Sequence, residues 1–437
     1  MQPSIGIDFG TTNSSVALAR PDGTVELVVF PTTLAVTESF RSILYLEHHK
    51  QAGRVQTKSF TGPSGIEHYL DAEHKGRLIQ SLKSYLTSHT LTGTEVFGRR
   101  YTIEDLISRI LTDLRLQAEE QFGQPIRHAT VGRPVRFVGA ENDEDDTFAT
   151  QRLAEAFGHA GFDSVTFEME PIAAAYAYEA NLTHDELILI GDFGGGTSDF
   201  SLLHVGPGTR SHGKREILGN AGLGLAGDAF DARIVRKLVS PALGSDSFER
   251  AYALAADRKP NLIPAVPAWI YANLERWHYL SFLKTRNVSE ILRAARARAE
   301  EPEKIEALVY LIDEDLGYQL HQAVQRLKIA LSHDETAQFN FHDGSMDIEA
   351  TVARADFESW ITEDLESIEH CVDNLLAASK IAADQVDRVF LTGGTSFVPS
   401  VRRIFESRFT AQRVVTGNEF TSVARGLALR ADQDRTR

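Results

Sequence analysis

Ile5-Gly-Ile-Asp-Phe-Gly-Thr-Thr-Asn-Ser-Ser-Val-Ala-Leu18, IGIDFGTTNSSVAL in one-letter form, begins four residues into the chain. An apolar run enters an acid, breaks at Gly10, offers two threonines and turns apolar again. That is the pattern of a β-hairpin carrying a carboxylate and hydroxyls at its tip. The pattern returns at Leu187–Leu203, LILIGDFGGGTSDFSLL. Asp8 then corresponds to Asp192, Phe9 to Phe193, Gly10 to Gly194, and Thr11 or Thr12 to Thr197, so the chain reads as duplicated. A third glycine turn, VFLTGGTSFVP at Val389–Pro399, follows another apolar strand and leads into the helical pattern PSVRRIFESRF.

A glycine turn between strands lets the backbone pass close to a ligand, and its N–H groups can line up on an anion. Neighbouring hydroxyls add donors, and each charge-assisted bond to a phosphate oxygen contributes ~1.5–3 kcal/mol. A carboxylate at the strand end suits Mg²⁺, directly or through its waters, because this hard cation takes oxygen ligands and keeps its hydration shell. Two such hairpins from two halves of the chain would grip a polyphosphate from both sides. Ordinary β-turn chemistry explains any one of these turns alone. Three in this order point to a phosphate clamp.

The bulk composition narrows the partners. At 437 residues the chain is too long for one simple core, so two domains, or one with large insertions, are expected. Hydrophobic residues at 42% and charged residues at 24% describe an ordinary globular protein. Lys+Arg 45 against Asp+Glu 61 gives 45 − 61 = −16, a net repulsion from phosphate backbones that argues against nucleic acid as a partner. A bound nucleotide is still allowed, because backbone N–H groups can build a local anion site. The single cysteine, Cys371, has no internal disulfide partner. The N-terminus shows no signal-peptide pattern, and no apolar run approaches the ~18 residues that span a bilayer. A cytoplasmic protein with no membrane partner is the expectation.

Two motifs mislead. Gly208-Thr-Arg-Ser-His-Gly-Lys214 fits most of a P-loop, but Arg215 stands where the magnesium-binding hydroxyl belongs. Gly222-Leu-Gly-Leu-Ala-Gly227 matches a dinucleotide fingerprint, yet no tidy strand ending in an acid follows about 20 residues on. The run Glu141–Asp146 reads as a solvated acidic loop ahead of the helix ATQRLAEAFGHAGF, and the fifteen histidines show no paired metal spacing.

IGIDFGTTNSSVAL, EPIAAAYAY (Glu170–Tyr178), DFGGGTSDFSLL, GDAFDARIV (Gly227–Val235), KIALS (Lys328–Ser332) and LTGGTSFVP together resemble the actin/sugar-kinase/heat-shock ATPase superfamily. Within it they are most similar to the seventy-kilodalton heat-shock chaperones, over nearly the whole chain. VGRPVRF (Val131–Phe137) and EEPEKIEAL (Glu300–Leu308) resemble the short members of that family. The resemblance implies an α/β, actin-like ATPase fold with the nucleotide in a cleft between two lobes. Lobe I would span 1–185, with core 1–40 and 128–185 and an insertion at 41–127. Lobe II would span 186–437, with core 186–232 and 334–437 and an insertion at 233–333.

It also implies ATP/ADP and Mg²⁺ as ligands and slow ATP hydrolysis as the activity. Asp8 and Asp192 are the expected contacts to magnesium, through water. Gly10, Thr11, Thr12, Asn13, Gly194, Gly195, Gly196, Thr197, Gly227, Gly393 and Gly394 are expected around the phosphates. Lys83 matches the family lysine that reaches the γ-phosphate region, although an ordinary snorkelling surface lysine would read the same. Glu170 and Asp199 match acids placed around the metal and the attacking water. Lys328 and Ser332, at i and i+4 on one helical face, match ribose and adenine contacts.

The departures are as informative. Gln325 replaces a frequent glutamate one turn before Lys328, and Phe397 stands where the family often stacks an arginine on the adenine. Pro134 matches an interlobe switch proline, but Thr150 replaces the arginine linked to it. No peptide-binding domain is expected from the residues up to Arg437, so a chaperone role is less expected than nucleotide binding. A chaperone-like, nucleotide-dependent switch is the first expectation, with a sugar-type kinase and an actin-like filament protein as alternatives. Trp269, Tyr271, Trp277 and Tyr279, beside Pro260, Pro264 and Pro267, form either the insertion's own core or a docking site for a protein partner.

Overall fold

Ile5, Ile7 and Phe9 are fully buried and alternate with smaller residues, which places Ser4–Phe9 (β1) in the middle of a sheet. The computed structural model describes residues 4–32, 36–51, 54–72, 76–179, 182–211, 217–250, 263–275, 279, 283–416 and 421–436. Pro260, Trp277, Lys214, Arg215 and the segment 417–420 lie outside the described residues. One compact unit comprises 1–227 and 366–437; a second comprises 228–365.

In the first unit, β1 pairs antiparallel with Asn13–Ala19 (β2), which pairs with Val25–Leu27 (β3). On its other side β1 runs parallel to His128–Arg133 (β4), which runs parallel to Ser164–Met169 (β5). A second sheet repeats this plan. Glu186–Phe193 (β6) pairs antiparallel with Ser198–Val205 (β7), which pairs with Ile217–Leu223 (β8). β6 also runs parallel to Arg388–Thr392 (β9), which runs parallel to Val414–Thr416 (β10). The orders β3-β2-β1-β4-β5 and β8-β7-β6-β9-β10 are one topology used twice. The duplication expected from the Asp-Phe-Gly repeat is a duplication of whole sheets.

Helices cover these strands. Ile103–Phe122 (α1) starts with Thr102 and Asp105 capping each other and lays Leu106, Ile107, Ile110, Leu111 and Leu114 onto the first sheet. Asp143–His159 (α2) joins that core through Leu153 and Phe157. Glu170–Glu179 (α3) and Ser422–Thr436 (α5) serve both sheets. Ala173, Ala174, Ala175, Val423 and Leu427 pack with Ile188 and Ile190 of the second sheet, while Ala424 and Ala428 pack with Ala17 and Ala19 of the first. On the second sheet's other face Pro399–Phe409 (α4) inserts Phe405, with its ring centroid 6.0 Å from Phe193 and 6.2 Å from Phe200.

One local expectation is corrected. The acidic run is not a loop: Asp143, Glu144, Asp145 and Asp146 form the first turn of α2, and the Asn142 side chain accepts the Asp145 N–H at 2.9 Å. Negative charge at a helix N-terminus meets the exposed N–H groups and the positive end of the dipole, so the run stabilises the helix start. In the second unit, ILRAARARAEEPEKIEAL is two helices, Arg286–Arg298 and Pro302–Asp313. Pro302 sits in the first turn of the latter, where its missing N–H costs nothing. That unit also holds Gly317–His333 packed on the hairpin Thr336–Asp343/Met346–Ala353. Of its aromatics, Tyr271 is buried and donates to the Leu243 carbonyl at 2.9 Å, whereas Trp269 is 44% exposed. No described helix is long and apolar enough to cross a membrane.

Phe405→Ala removes the ring beneath the second hairpin. Urea unfolding is expected to show a loss of about 3–5 kcal/mol; a loss below about 1 kcal/mol would contradict this packing account.

Candidate functional site

Both hairpins close in the same register. Asp8 lies across from Ser15 and Phe9 from Ser14; Asp192 lies across from Asp199 and Phe193 from Ser198. The tips are therefore Gly10-Thr11-Thr12-Asn13 and Gly194-Gly195-Gly196-Thr197, and the Gly194 N–H donates to the Thr197 carbonyl at 2.9 Å. A Cβ at Gly10 would stand 2.2 Å from the Asn13 carbonyl oxygen, so a side chain there would prevent closure.

The two tips meet. A Cβ built on Gly196 lies 3.7 Å from Thr11 Oγ1 and 3.9 Å from Ser84 Oγ. Gly393, at φ +85°, seats the third turn against the second hairpin, where any Cβ would fall 2.0 Å from the Phe193 carbonyl oxygen. The Gly227 N–H reaches the Gly194 carbonyl at 3.5 Å. Gly394 opens a 3₁₀ turn, Gly394–Phe397, whose last ring is 40% exposed.

Lys83 lies on a single 3₁₀ turn, Leu82–Tyr85, after Ser81 in the left-handed region at φ 53°. Its side chain is buried, which removes the snorkelling reading, and its Nζ meets Glu170 Oε1 at 2.6 Å. Glu170 is the first residue of α3, next to the end of β4. Asp199 Oδ1 accepts the Val135 N–H at 2.8 Å and the Arg136 N–H at 3.4 Å, tying the second hairpin to the loop after β4.

Four carboxylates thus gather around one ammonium. The Asp8 carboxyl rises to about 7, first by burial and then by Glu170, against the pull of Lys83. Asp199 also rises to about 7, first by burial and then by Glu170, against the pull of the Thr197 hydroxyl and the two backbone N–H groups. Asp192 is held well above the ordinary range by burial and by Glu170, Asp8 and Asp199. Burial alone would lower Lys83, but Glu170, Asp8 and Asp199 outweigh it and leave the ammonium raised. Such a site lacks positive charge.

The donor set fits a hydrated divalent cation beside a phosphate chain. It offers only hard oxygens, carries excess negative charge, and leaves two buried oxygens, Thr12 Oγ1 and Asp199 Oδ2, with no hydrogen-bond partner. Among the described residues, no three His, Cys, Asp or Glu side chains are grouped to hold a metal ion directly; the expected contact at Asp8 and Asp192 is through water. Lys328 and Ser332 belong to the second unit. There Lys328 Nζ pairs with Asp231 Oδ1 at 2.7 Å and Ser332 Oγ donates to the Lys328 carbonyl at 3.0 Å. Gln325 lies on the same helix, half-buried. Thr150 Oγ1 donates to the Asp146 carbonyl at 2.7 Å within α2.

Sequence reading missed the Val135 and Arg136 N–H groups, which have no side-chain signature. It also missed Arg152 and Glu104, described below. A signal for Arg152 existed: it interrupts the buried stripe Ala149, Leu153, Ala156 and Phe157 of α2.

Two sheets of one topology, each offering an acid-glycine tip to a common point, define the actin-like ATPase fold. The chain belongs to the Hsp70 family, whose model, described as Hsp70 protein, matches residues 4–247 and 298–434. It is 26% identical over 441 residues to the chaperone protein DnaK of Thermotoga petrophila, a match that covers 98% of this chain and 59% of the relative. The DnaK of Thermosipho melanesiensis is 25% identical over 431 residues, covering 98% and 58%. The chain thus spans less than two thirds of the length of these relatives.

The raised carboxyls give a signed pH dependence. Between about pH 4 and 7 the folded protein holds protons on Asp8 and Asp199 that the unfolded chain has released, so stability falls as pH rises through that window. Melting temperature without ligand should drop more steeply from pH 5 to 8 in the wild type than in Asp8→Asn; parallel profiles would contradict the assignment.

Proposed function

We propose that the chain binds MgATP and MgADP, hydrolyses ATP slowly and acts in the cytoplasm as a nucleotide-dependent conformational switch of the Hsp70 type. One observation carries the reading: two hairpins of identical register bring Thr11 and Gly196 together beside Asp8, Asp192 and the Lys83–Glu170 pair. In this reading the sheets belong to two lobes, 1–185 and 186–437, with insertions at 41–127 and 233–333.

Phosphoryl transfer needs positioning and charge neutralisation more than covalent help. N–H groups and hydroxyls of Gly10, Thr11, Thr12, Asn13 and of Gly194 to Thr197 would hold the β- and γ-phosphates, with Gly227, Gly393 and Gly394 closing the rim. Asp8 and Asp192 would orient the waters of a magnesium ion, which neutralises phosphate charge when bound. The Lys83 ammonium would face the γ-phosphoryl oxygens. Asp199, with one carboxylate oxygen free, and Glu170 would orient the attacking water. Its oxygen bonds to the γ-phosphorus, the bond to the bridging oxygen breaks, ADP leaves, and the water's proton passes to a neighbouring oxygen base.

The contacts of Lys328 and Ser332 with ribose and adenine, and of Phe397 with the base, are proposed on the resemblance. Chaperone action is proposed on family membership, and a protein partner at the 233–333 insertion on the exposed Trp269. The comparisons do not favour the sugar-kinase and filament readings.

A thermal-shift screen should give stabilisation with ATP or ADP plus Mg²⁺ that GTP and sugars do not match, since a ligand that binds only the folded state raises apparent stability. In Lys83→Ala, phosphate release should fall by about 100-fold or more with nucleotide affinity within about ten-fold of wild type. Absence of any adenine-nucleotide shift, or undiminished turnover in Lys83→Ala, would overturn the reading.

A further inference from the structure

The 3₁₀ turn that carries Lys83 is only four residues long and follows a serine in the left-handed region. So short a turn has little stability of its own and stays where outside contacts put it. Leu82 and Leu86 sink into the core, and Thr87 Oγ1 donates to the Val138 carbonyl at 2.8 Å. A further polar hold comes from a side chain of α2. Arg152, 6% exposed, donates through Nη1 to the carbonyls of Tyr85, Leu86 and Ser88 at 3.1, 3.2 and 3.2 Å. Its Nε donates to Glu104 Oε1 in the first turn of α1. Its guanidinium carbon lies 5.4 Å from the centroid of the Phe148 ring.

We propose that Arg152, held by Glu104, is a positioning residue for Lys83: it gathers three carbonyls of the segment that closes the lysine's turn and so aims the ammonium at Glu170. The Tyr85 carbonyl closes the turn and also accepts the Ser88 N–H at 3.1 Å, while the Leu86 and Ser88 carbonyls lie just past it. A planar guanidinium can serve Glu104 and several carbonyls at once, which a lysine ammonium at one point cannot. The geometry links α1, α2 and the turn Leu82–Tyr85 to the Lys83 ammonium among the four carboxylates. The proposal rests on the reading of Lys83 as a group of the catalytic site, and its test separates the two.

Acylation by an amine-specific reagent at pH 8, read peptide by peptide by mass spectrometry, reports how open each lysine is. Lys328, ion-paired with Asp231 in the second unit, serves as the control. In Arg152→Ala, Lys83 should label about ten-fold faster with Lys328 unchanged, because the local opening costs less. kcat for ATP hydrolysis should fall about ten-fold with KM within about two-fold. Arg152→Lys keeps the charge but not the fork; it should show the same selective labelling, and it decides the matter if the alanine protein does not fold. Unchanged Lys83 labelling, an equal rise at Lys328, or an unaltered kcat overturns the proposal. A wild type without ATP turnover would instead count against the functional reading and leave the labelling to decide this one.

Discussion

Like charges confined together are the constraint that the rest of this molecule serves. Burial and the nearby Glu170 carboxylate raise the proton affinity of Asp8, Asp192 and Asp199, with Lys83 as a cation set among them. Holding such a cluster costs stability, so the surrounding fold must overdetermine it. The Phe193–Phe200–Phe405 contacts, the two-sheet span of α5 and the glycine contact of Gly393 with Phe193 do this with apolar packing and backbone contact. The duplication supplies the geometry: one topology used twice presents two like tips to one place. A divalent cation with a polyphosphate complements what the protein leaves unbalanced.

Much of this was legible in the chain because it is local. The Asp-Phe-Gly repeat announced both hairpins, and the structure closes them in equal registers. The likeness of the motifs to heat-shock chaperones agrees with the family match over most of the chain. What escaped is non-local or carried by the backbone. The Asp199 bonds to Val135 and Arg136 cross more than sixty positions and use N–H groups that every residue has. The acidic run at Glu141–Asp146 was misread because like charges suggest a solvated loop, while a helix start accepts them. Arg152 stood in plain view within an apolar stripe, but what it would hold emerges only when α2 packs beside the turn Leu82–Tyr85.

The loop after β4 is where these pieces meet. Its Val135 and Arg136 N–H groups serve Asp199 on the second sheet, Phe137 N–H serves Asp146 on α2, and the Val138 carbonyl serves Thr87 just past Lys83. A shift of the second hairpin is therefore felt, through direct hydrogen bonds, by the segment that carries the lysine. That is the kind of two-state contact a nucleotide-dependent switch requires. Pro134, at the head of this loop, limits the backbone there to one φ value and keeps the response stiff.

The central claim is that paired tips hold a magnesium-bound triphosphate through Asp8 and Asp192. Isothermal titration calorimetry of MgATP into the wild type and into the Asp8→Asn/Asp192→Asn double variant tests it most directly, with matched melting curves to show that both are folded. The account predicts binding by the wild type and a loss of about 100-fold or more in the variant, since two charge-assisted contacts disappear together. Equal MgATP affinity in the two proteins would contradict it.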